Sequence, residues 1–245
     1  MSSNGHADSR RREVFIGHDK RQALAYSVMR YSVESRASQP IAVRGLFIDQ
    51  LPISRVGATA FTYSRFLVPW LMDYSGFGLF CDEDQVMTAN VHELFLCCKK
   101  FEEPWEVAFV DHEQQYERPS VMVFNNKNLK HLTPEFIQDK NNRMFDFAWA
   151  EHIKFLPKEW NHLVAMDPPR DDAKLYHFTA GIPYWKETRG MPEDHHWFEA
   201  FEAMVHSGEW IDFHRDTVHF KPVMRRFLKP YGLNIGQGPD YPKLS

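Results

Sequence analysis

Two carboxylates stand two residues apart directly after a short apolar run. Asp82 and Asp84 follow residues 77–81, with Glu83 between them. In extended backbone, side chains two residues apart leave on the same side. Paired carboxylate oxygens suit Mg²⁺ or Mn²⁺, and such an ion can offset the charge that develops on a leaving diphosphate. The spacing therefore indicates a metal site at the end of a strand, with an acidic surface turn as the plainer alternative.

Two enzyme classes use such a pair of aspartates. In haloacid-dehalogenase-like phosphatases the first aspartate of an Asp-x-Asp-x-Thr/Val run is the nucleophile, and residues 82–86 fit that run with Asp82. Asp171 and Asp172 could supply the further acidic pair of that class, but the later strand over 123–125 closes without the hydroxyl it needs. In nucleotide-sugar transferases of the GT-A type the pair lies mid-chain, after the strands that bind the nucleoside. The order of elements in this sequence matches the second class.

The elements before the acidic pair alternate in the way typical of a parallel sheet. Residues 13–17 predict a strand, 21–35 an amphipathic helix and 41–49 a second strand. Strand, helix and strand over about 35 residues form a βαβ unit. A third strand over 77–80 then delivers the acidic pair to the carboxyl edge of the sheet, where open α/β sheets bind ligands.

The rest of the chain continues this pattern. Further strands are predicted at 106–110, 120–125 and 173–178, and helices at 62–74, 91–100, 134–139, 145–153 and 192–206. Pro69 is expected to kink the helix over 62–74 or to begin a new first turn. Without a repeat or a linker, the economical architecture is one α/β domain over 13–207 with a mostly parallel sheet. A disordered tail is expected over 1–12 and a wrapping C-terminal segment over 208–245.

Composition excludes several classes of protein. Of the 245 residues, 43% are hydrophobic and 25% charged, which is typical of a globular chain. The net charge of −4 leaves no basic excess for binding nucleic acid. The sequence also lacks an apolar stretch long enough to span a membrane, a secretory leader and a disulfide framework, so a cytoplasmic protein is expected. The aromatic share of 15% is expected to fill the core.

Several motifs, taken in order, resemble glycosyltransferase family 8, which includes glycogenin-like and bacterial galactosyltransferase-like enzymes. The resemblance extends from about Val14 to Trp185. It rests on the segments 15–21, 61–67, 80–84, 119–125, 156–161 and 177–185. It implies a single GT-A domain and a metal-dependent, retaining transfer of a hexose from a UDP-sugar. The acceptor, whether glycan, lipid or protein, is not identified by any motif.

The resemblance also implies roles for individual residues. The metal ligands would be Asp82, Asp84 and His177, and the imidazole nitrogen favours Mn²⁺ over Mg²⁺. The residues expected to contact the donor are Gly17, Asp19, Arg21, Arg65, Asp82, Glu83, Gly181, Trp185 and Lys186. The residues expected to act in catalysis are Asp82, Asp84, Asn125, Glu151 and Asn161. Because no well-placed carboxylate nucleophile is evident, the expected mechanism is front-face attack, with the leaving phosphate taking the acceptor proton.

The segment after His177 departs from the family pattern. Gly181 follows His177 by four residues rather than three, and the lysine that the family places before Pro-Trp is missing. Lys186 or Arg189 would have to replace that lysine on the diphosphate. The same departure supports an alternative function, a nucleotide-sugar-binding protein of the same fold without turnover.

Overall fold

The computed structural model describes residues 11–208 and 220–229. In these ranges the strands are β1 (Arg12–Gly17), β2 (Ala42–Leu46), β3 (Phe77–Cys81), β4 (Gln85–Met87), β5 (Val107–Phe109), β6 (Val121–Asn125), β7 (Ile153–Phe155), β8 (His162–Leu163) and β9 (Leu175–His177). The helices are α1 (Ala23–Arg36), α2 (Val68–Leu71), α3 (Val91–Cys98), α4 (Pro134–Gln138), α5 (Asp194–Ser207) and α6 (Phe220–Leu228). The expected tail over 1–12 and C-terminal segment over 208–245 lie largely outside these ranges.

A six-stranded sheet in the order β2-β1-β3-β6-β5-β7 forms the centre of the protein. Its strands are parallel except for β6, which runs antiparallel to both β3 and β5. In this register Cys81 lies opposite Val121, and Phe77 lies opposite Asn125. The start of β6 therefore meets the end of β3, and the mostly parallel α/β sheet predicted from the sequence is confirmed.

A small second sheet, β4-β9-β8, continues from the end of β3. Strand β4 begins one residue after Asp84 and pairs antiparallel with β9, which places Gln85 opposite His177. Two segments about ninety residues apart in sequence are thus brought together beside the acidic pair.

The two faces of the main sheet are both buried. Val14 and Ile16 of β1 belong to one apolar cluster with α3, whereas Phe15 belongs to the cluster on the opposite face with α2. This is the alternation of side chains expected for a strand covered on both sides. A third cluster lies between α1, β9 and α5. The aromatic core expected from composition is confirmed by fully buried rings, which include Phe15, Phe66, Phe80, Phe95, Trp105, Phe124, Trp160, Phe178 and Trp197.

Two of the predicted helices differ from the structure. Over 62–74 the chain forms a short 3₁₀ turn and then α2, with Pro69 in its first turn, as one of the two expectations for this proline stated. The helix predicted over 145–153 is wrong. Phe147 adopts a left-handed backbone with φ of 58°, and Ile153 begins β7, which pairs in parallel with β5. Strand pairing outweighs the local helical pattern here.

No helix in the described ranges combines the length and the apolar character needed to cross a bilayer.

Helix α3 offers a matched test of the core. Leu94 is fully buried and Leu96 is 50% exposed on the same helix. Leu94→Ala should lower the free energy of unfolding by about 2–5 kcal/mol, because it removes buried methyl groups and leaves a cavity. Leu96→Ala should change it by less than about 0.5 kcal/mol. Urea unfolding followed by circular dichroism measures both, and equal effects would contradict the placement of α3.

Candidate functional site

Three side chains with metal-binding atoms converge where β3 ends. Asp82, Asp84 and His177 each offer one such atom, and these atoms lie within 4.8 Å of one another, the one group of its kind found among the described residues. The Nε2 atom of His177 is 3.3 Å from Oδ1 of Asp84. The antiparallel pairing of β4 with β9 produces this contact, because it sets His177 beside the loop that follows β3.

The buried carboxylate oxygens of this cluster fit a cation. Oδ1 of Asp82 and Oδ1 of Asp84 are both buried and make no hydrogen bond, although they lie in ion-pair contact with Arg65 and His177. Buried anionic oxygens are unfavourable unless positive charge compensates them. Two carboxylates and one imidazole form a donor set that suits Mn²⁺ and admits Mg²⁺. The three residues can therefore hold the ion that the sequence predicted.

Arg65 supplies a positive charge at the same point. One Nη atom lies 3.1 Å from Oδ1 of Asp82, and the other donates to the carbonyl of Pro119 at 2.8 Å. The guanidinium also packs over the ring of Phe80, 4.8 Å from its centroid. Arg65 is almost fully buried, so its charge is poorly screened by solvent and acts strongly on Asp82.

Burial and neighbouring charges shift the pKa values of the cluster. Burial raises the pKa of Asp82 to about 7, against the opposing effect of Arg65 and with a further contribution from Asp84. Burial lowers the pKa of His177, but Asp84, Glu117 and Asp82 outweigh it and raise that pKa to about 9. Since a metal binds the deprotonated groups, binding at neutral pH would release protons from this cluster.

A cavity of about 260 Å³ lies beside the ends of β1 and β2. Its walls are formed by His18, Asp19, Lys20, Phe47, Ile48, Asp49, Gln50 and Ala60. Asp19 accepts hydrogen bonds from Nε of Arg21 at 2.9 Å and from the backbone of Ala60 at 3.3 Å. The bond from Arg21 holds the pKa of Asp19 well below its usual range. The structure therefore places Asp19 in the wall of a defined cavity and Arg21 beside it.

Gly17 is fixed at the end of β1 by close packing. A Cβ atom at this position would lie 2.4 Å from the ring of Phe61. The absence of a side chain lets Phe61 pack directly against the strand that leads into the cavity.

Glu83 joins this cavity to the acidic cluster. Its side chain is fully buried, and both of its carboxyl oxygens lie within 3.2 Å of the backbone nitrogen of Asp19, which donates to them. Burial raises the pKa of Glu83 to about 10. Glu83 therefore holds the loop after β1 through the backbone of Asp19. Its neighbours Asp82 and Asp84 lie close to His177 instead.

Asn161 is linked to the acidic pair through hydrogen bonds that involve Ser120. Its Nδ2 donates to Oγ of Ser120 at 2.9 Å and to the carbonyl of Glu117 at 3.3 Å. The carbonyl of Ser120 in turn accepts from the backbone nitrogen of Asp82 at 3.0 Å. The structure thus places Asn161 next to the cluster, with Ser120 linking it to Asp82.

Asn125 and Glu151, both expected near the reacting carbon, lie at the other edge of the sheet. Asn125 pairs with Phe77 at the start of β3, four residues and about 13 Å from its end. Its Nδ2 donates to Glu103 and to the carbonyl of Trp105. Glu151 is exposed and precedes β7, at that same edge. The expectation for both residues is corrected. Asn125 lies there because β6 runs antiparallel to its neighbours, and Glu151 because it precedes β7, which runs parallel to β5.

The segment after β9 forms a tight turn. Gly181 has a φ of +111°, a conformation that favours glycine, and its nitrogen donates to the carbonyl of Phe178 at 2.7 Å. Trp185 packs partly buried against the third apolar cluster. Lys186 and Arg189 are exposed, and Arg189 donates to the carbonyl of Tyr184 at 3.3 Å.

Two buried residues near His177 were not predicted from the sequence. Glu117 lies with Oε2 3.5 Å from Nδ1 of His177, and His112 is 5% exposed and interacts electrostatically with both of them. Both precede β6, and only the reversed direction of β6 brings that end of the strand to the site. The sequence signal would have been a buried acid four residues before an antiparallel strand, which periodicity does not reveal.

The sheet and its helices have the GT-A-like fold of solved glycosyltransferases. The bifunctional glycosyltransferase WbbM superposes with a TM-score of 0.58 at 15% identity, over 82% of this chain and 51% of that one. GlyE of Streptococcus pneumoniae gives 0.57 at 13% identity, over 80% and 63%, and an active-site mutant of LgtC gives 0.55 at 11%, over 78% and 95%. This chain thus spans about half of WbbM, and at these identities the likeness establishes the fold.

The sequence comparisons identify one curated relative. Protein CDI of Arabidopsis thaliana is 29% identical over 243 residues, which cover 86% of this chain and 88% of that protein. No protein-family profile matches the chain. The GT-A-like fold expected from the motifs is confirmed, and the assignment to family 8 stays a prediction.

The raised pKa of His177 predicts how stability depends on pH without metal. Its contribution is complete below pH 6.5 and is lost as the pH rises through about 9. In EDTA, the free energy of unfolding of the wild type relative to His177→Gln should therefore fall by roughly 3 kcal/mol between pH 6 and 9.5. Urea titrations at several pH values measure this difference. A difference that stays constant would show that His177 is not charged in the folded protein.

Proposed function

We propose that this protein is a metal-dependent glycosyltransferase that transfers a hexose from a UDP-sugar to an acceptor. The observation that carries the proposal is the convergence of Asp82, Asp84 and His177 at the carboxyl edge of a GT-A-like sheet. The cavity beside β1 and β2 supports the same conclusion, because it lies next to that cluster along the sheet edge.

The spacing of the strands supports a nucleotide that lies across this edge. The cavity is at the ends of β2 and β1, and the acidic pair follows β3, the next strand in the sheet. Neighbouring strands lie about 4.8 Å apart, so a base in the cavity would place its diphosphate beside Asp82 and Asp84. Phe47, a partly buried ring in the cavity wall that packs against His18 with 4.6 Å between centroids, is our candidate for the apolar surface on which a base or a ribose would pack.

Each residue of the cluster has a role in this proposal. Asp82, Asp84 and His177 would hold Mn²⁺ or Mg²⁺, and the bound ion would offset charge on the departing diphosphate. Arg65 fixes the carboxylate of Asp82 and adds a permanent positive charge next to it. Lys186 is our candidate for the cation that contacts the β-phosphate, in place of the lysine missing before Pro183-Tyr184.

The proposed stereochemistry is retention. Among the described residues, Glu117 is the further carboxylate beside His177, and it is already bound to Thr179. Asn125 and Glu151 lie at the far edge of the sheet. We therefore propose front-face attack, in which the acceptor oxygen forms the new glycosidic bond, the bond to UDP breaks, and the leaving phosphate takes the acceptor proton. NMR of the product anomer tests this, and inversion would contradict it.

The phosphatase alternative receives no support from the site. Asp171 and Asp172, which would supply its second acidic pair, are exposed, and Asp172 is paired with Arg170. The fold is also that of glycosyltransferases.

Removal of one metal ligand provides the main test. Asp84→Ala should reduce release of UDP from a panel of UDP-sugars, including UDP-glucose and UDP-galactose, by about 100-fold or more, because one of three ligands is lost. Thermal stabilisation of the wild type by UDP should require Mn²⁺, and Asp84→Ala should abolish it. Asp171→Ala is the matched control, since it removes an exposed carboxylate outside the cluster.

The remaining outcomes separate the alternatives. Stabilisation by UDP and Mn²⁺ without turnover of any donor would favour a nucleotide-sugar-binding protein. A protein that ignores UDP but hydrolyses a generic phosphate ester, and loses this activity in Asp171→Ala, would favour the phosphatase.

A further inference from the structure

Glu117 is a buried carboxylate placed directly behind the imidazole of His177. Glu117 is 4% exposed and His177 2% exposed. Oε2 of Glu117 lies 3.5 Å from Nδ1 of His177, while Nε2 on the other side of the ring lies 3.3 Å from Oδ1 of Asp84. The imidazole is therefore held between two carboxylates, one on the side of the metal cluster and one on the opposite side.

The carboxylate and the backbone carbonyl of Glu117 are both held by other hydrogen bonds. The hydroxyl of Thr179 donates to its Oε1, and its backbone carbonyl accepts from Oγ of Ser120 and from Nδ2 of Asn161. These bonds leave Oε2 directed at the imidazole. Nδ1 of His177 is buried and makes no hydrogen bond within the described residues, and Oε2 of Glu117, in ion-pair contact with it at 3.5 Å, is the acceptor placed to take its proton.

This arrangement has a chemical consequence for metal binding. A neutral histidine carries one ring proton, and a carboxylate facing one nitrogen holds that proton there and leaves the lone pair on the other nitrogen free. Metal-bound histidines typically donate their second N–H to such a group, which fixes the ring and raises its basicity as a ligand.

We propose that Glu117 is a positioning residue that holds the proton of His177 on Nδ1 and presents Nε2 to the metal. This proposal rests on the metal site of the proposed function. Glu117 acts through His177 and is not itself a ligand, since its Oε2 atom lies next to Nδ1, whereas the metal cluster lies next to Nε2. Thr179 supports it by holding the other oxygen.

The experiment measures Mn²⁺ affinity by electron paramagnetic resonance, with no nucleotide present. Glu117→Gln should weaken the affinity by about 10- to 100-fold, the effect typical for loss of such a partner. Thr179→Val keeps the carboxylate of Glu117 but removes the hydroxyl that donates to its Oε1 atom. This variant should weaken the affinity less. Glu113→Gln is the matched control, because it removes the same charge from an exposed position in the same loop, and its affinity should stay within about twofold of the wild type.

A second measurement separates positioning from a merely structural role. In protein labelled with ¹⁵N-histidine and loaded with Mg²⁺, NMR should show the His177 proton on Nδ1 in the wild type and a mixture of both tautomers in Glu117→Gln. Unchanged Mn²⁺ affinity in a folded Glu117→Gln variant would overturn the proposal. If that variant does not fold, unchanged affinity in Thr179→Val would overturn it instead.

The outcome for the wild type distinguishes this proposal from the proposed function. A wild type that binds Mn²⁺ without loss in the Glu117 variant overturns only the role of Glu117. A wild type without measurable affinity for Mn²⁺ overturns both.

Discussion

The site depends on how four carboxyl groups share one buried region. Asp82, Glu83, Asp84 and Glu117 lie within or directly behind the cluster, where the cost of burying a charge is high. Asp82 is compensated by Arg65, Asp84 by His177, and Glu117 by His177 and Thr179. Glu83 avoids the cost differently, because burial raises its pKa to about 10 and keeps it neutral while it accepts from the backbone of Asp19. Oδ1 of Asp82 and Oδ1 of Asp84 make no hydrogen bond and are in ion-pair contact with Arg65 and His177. These two oxygens are the atoms that a divalent cation would bind.

The direction of β6 determines which residues take part. Because β6 runs against β3, its start rather than its end reaches the acidic pair, and the turn before it contributes Glu117 and Ser120. The pairing of β4 with β9 adds His177 from the other side. Loops from three separate parts of the sequence thus meet at one sheet edge, the position where open α/β sheets bind ligands.

The sequence was informative where the chemistry is local. Asp82 and Asp84 follow a strand whose apolar pattern is clear, and the motif around His177 gave the third member of the group, which the structure brings to them. It was less informative about Asn125, because strand direction within a sheet is set by long-range pairing that no local pattern encodes, and about Glu151, because its segment has a helical pattern while the chain forms β7. Three of the five strands of two or three residues, β4, β7 and β8, were missed, since pairing with distant strands forms them and their local sequence has no strand pattern. Glu117 was missed because its role exists only through its contact with His177.

Glu83 gives the site one further property. Its carboxyl group accepts a hydrogen bond from the main chain of Asp19 and belongs to the loop that also carries Asp82 and Asp84, so a buried contact joins the loops after β1 and β3. A ligand that shifts one of these loops therefore acts on the other through this contact. If a ligand of the acidic loop changes the affinity of the cavity for a second ligand, that second ligand changes the affinity of the acidic loop by the same factor. The fold thus contains a route for cooperativity between two small ligands that does not require them to touch.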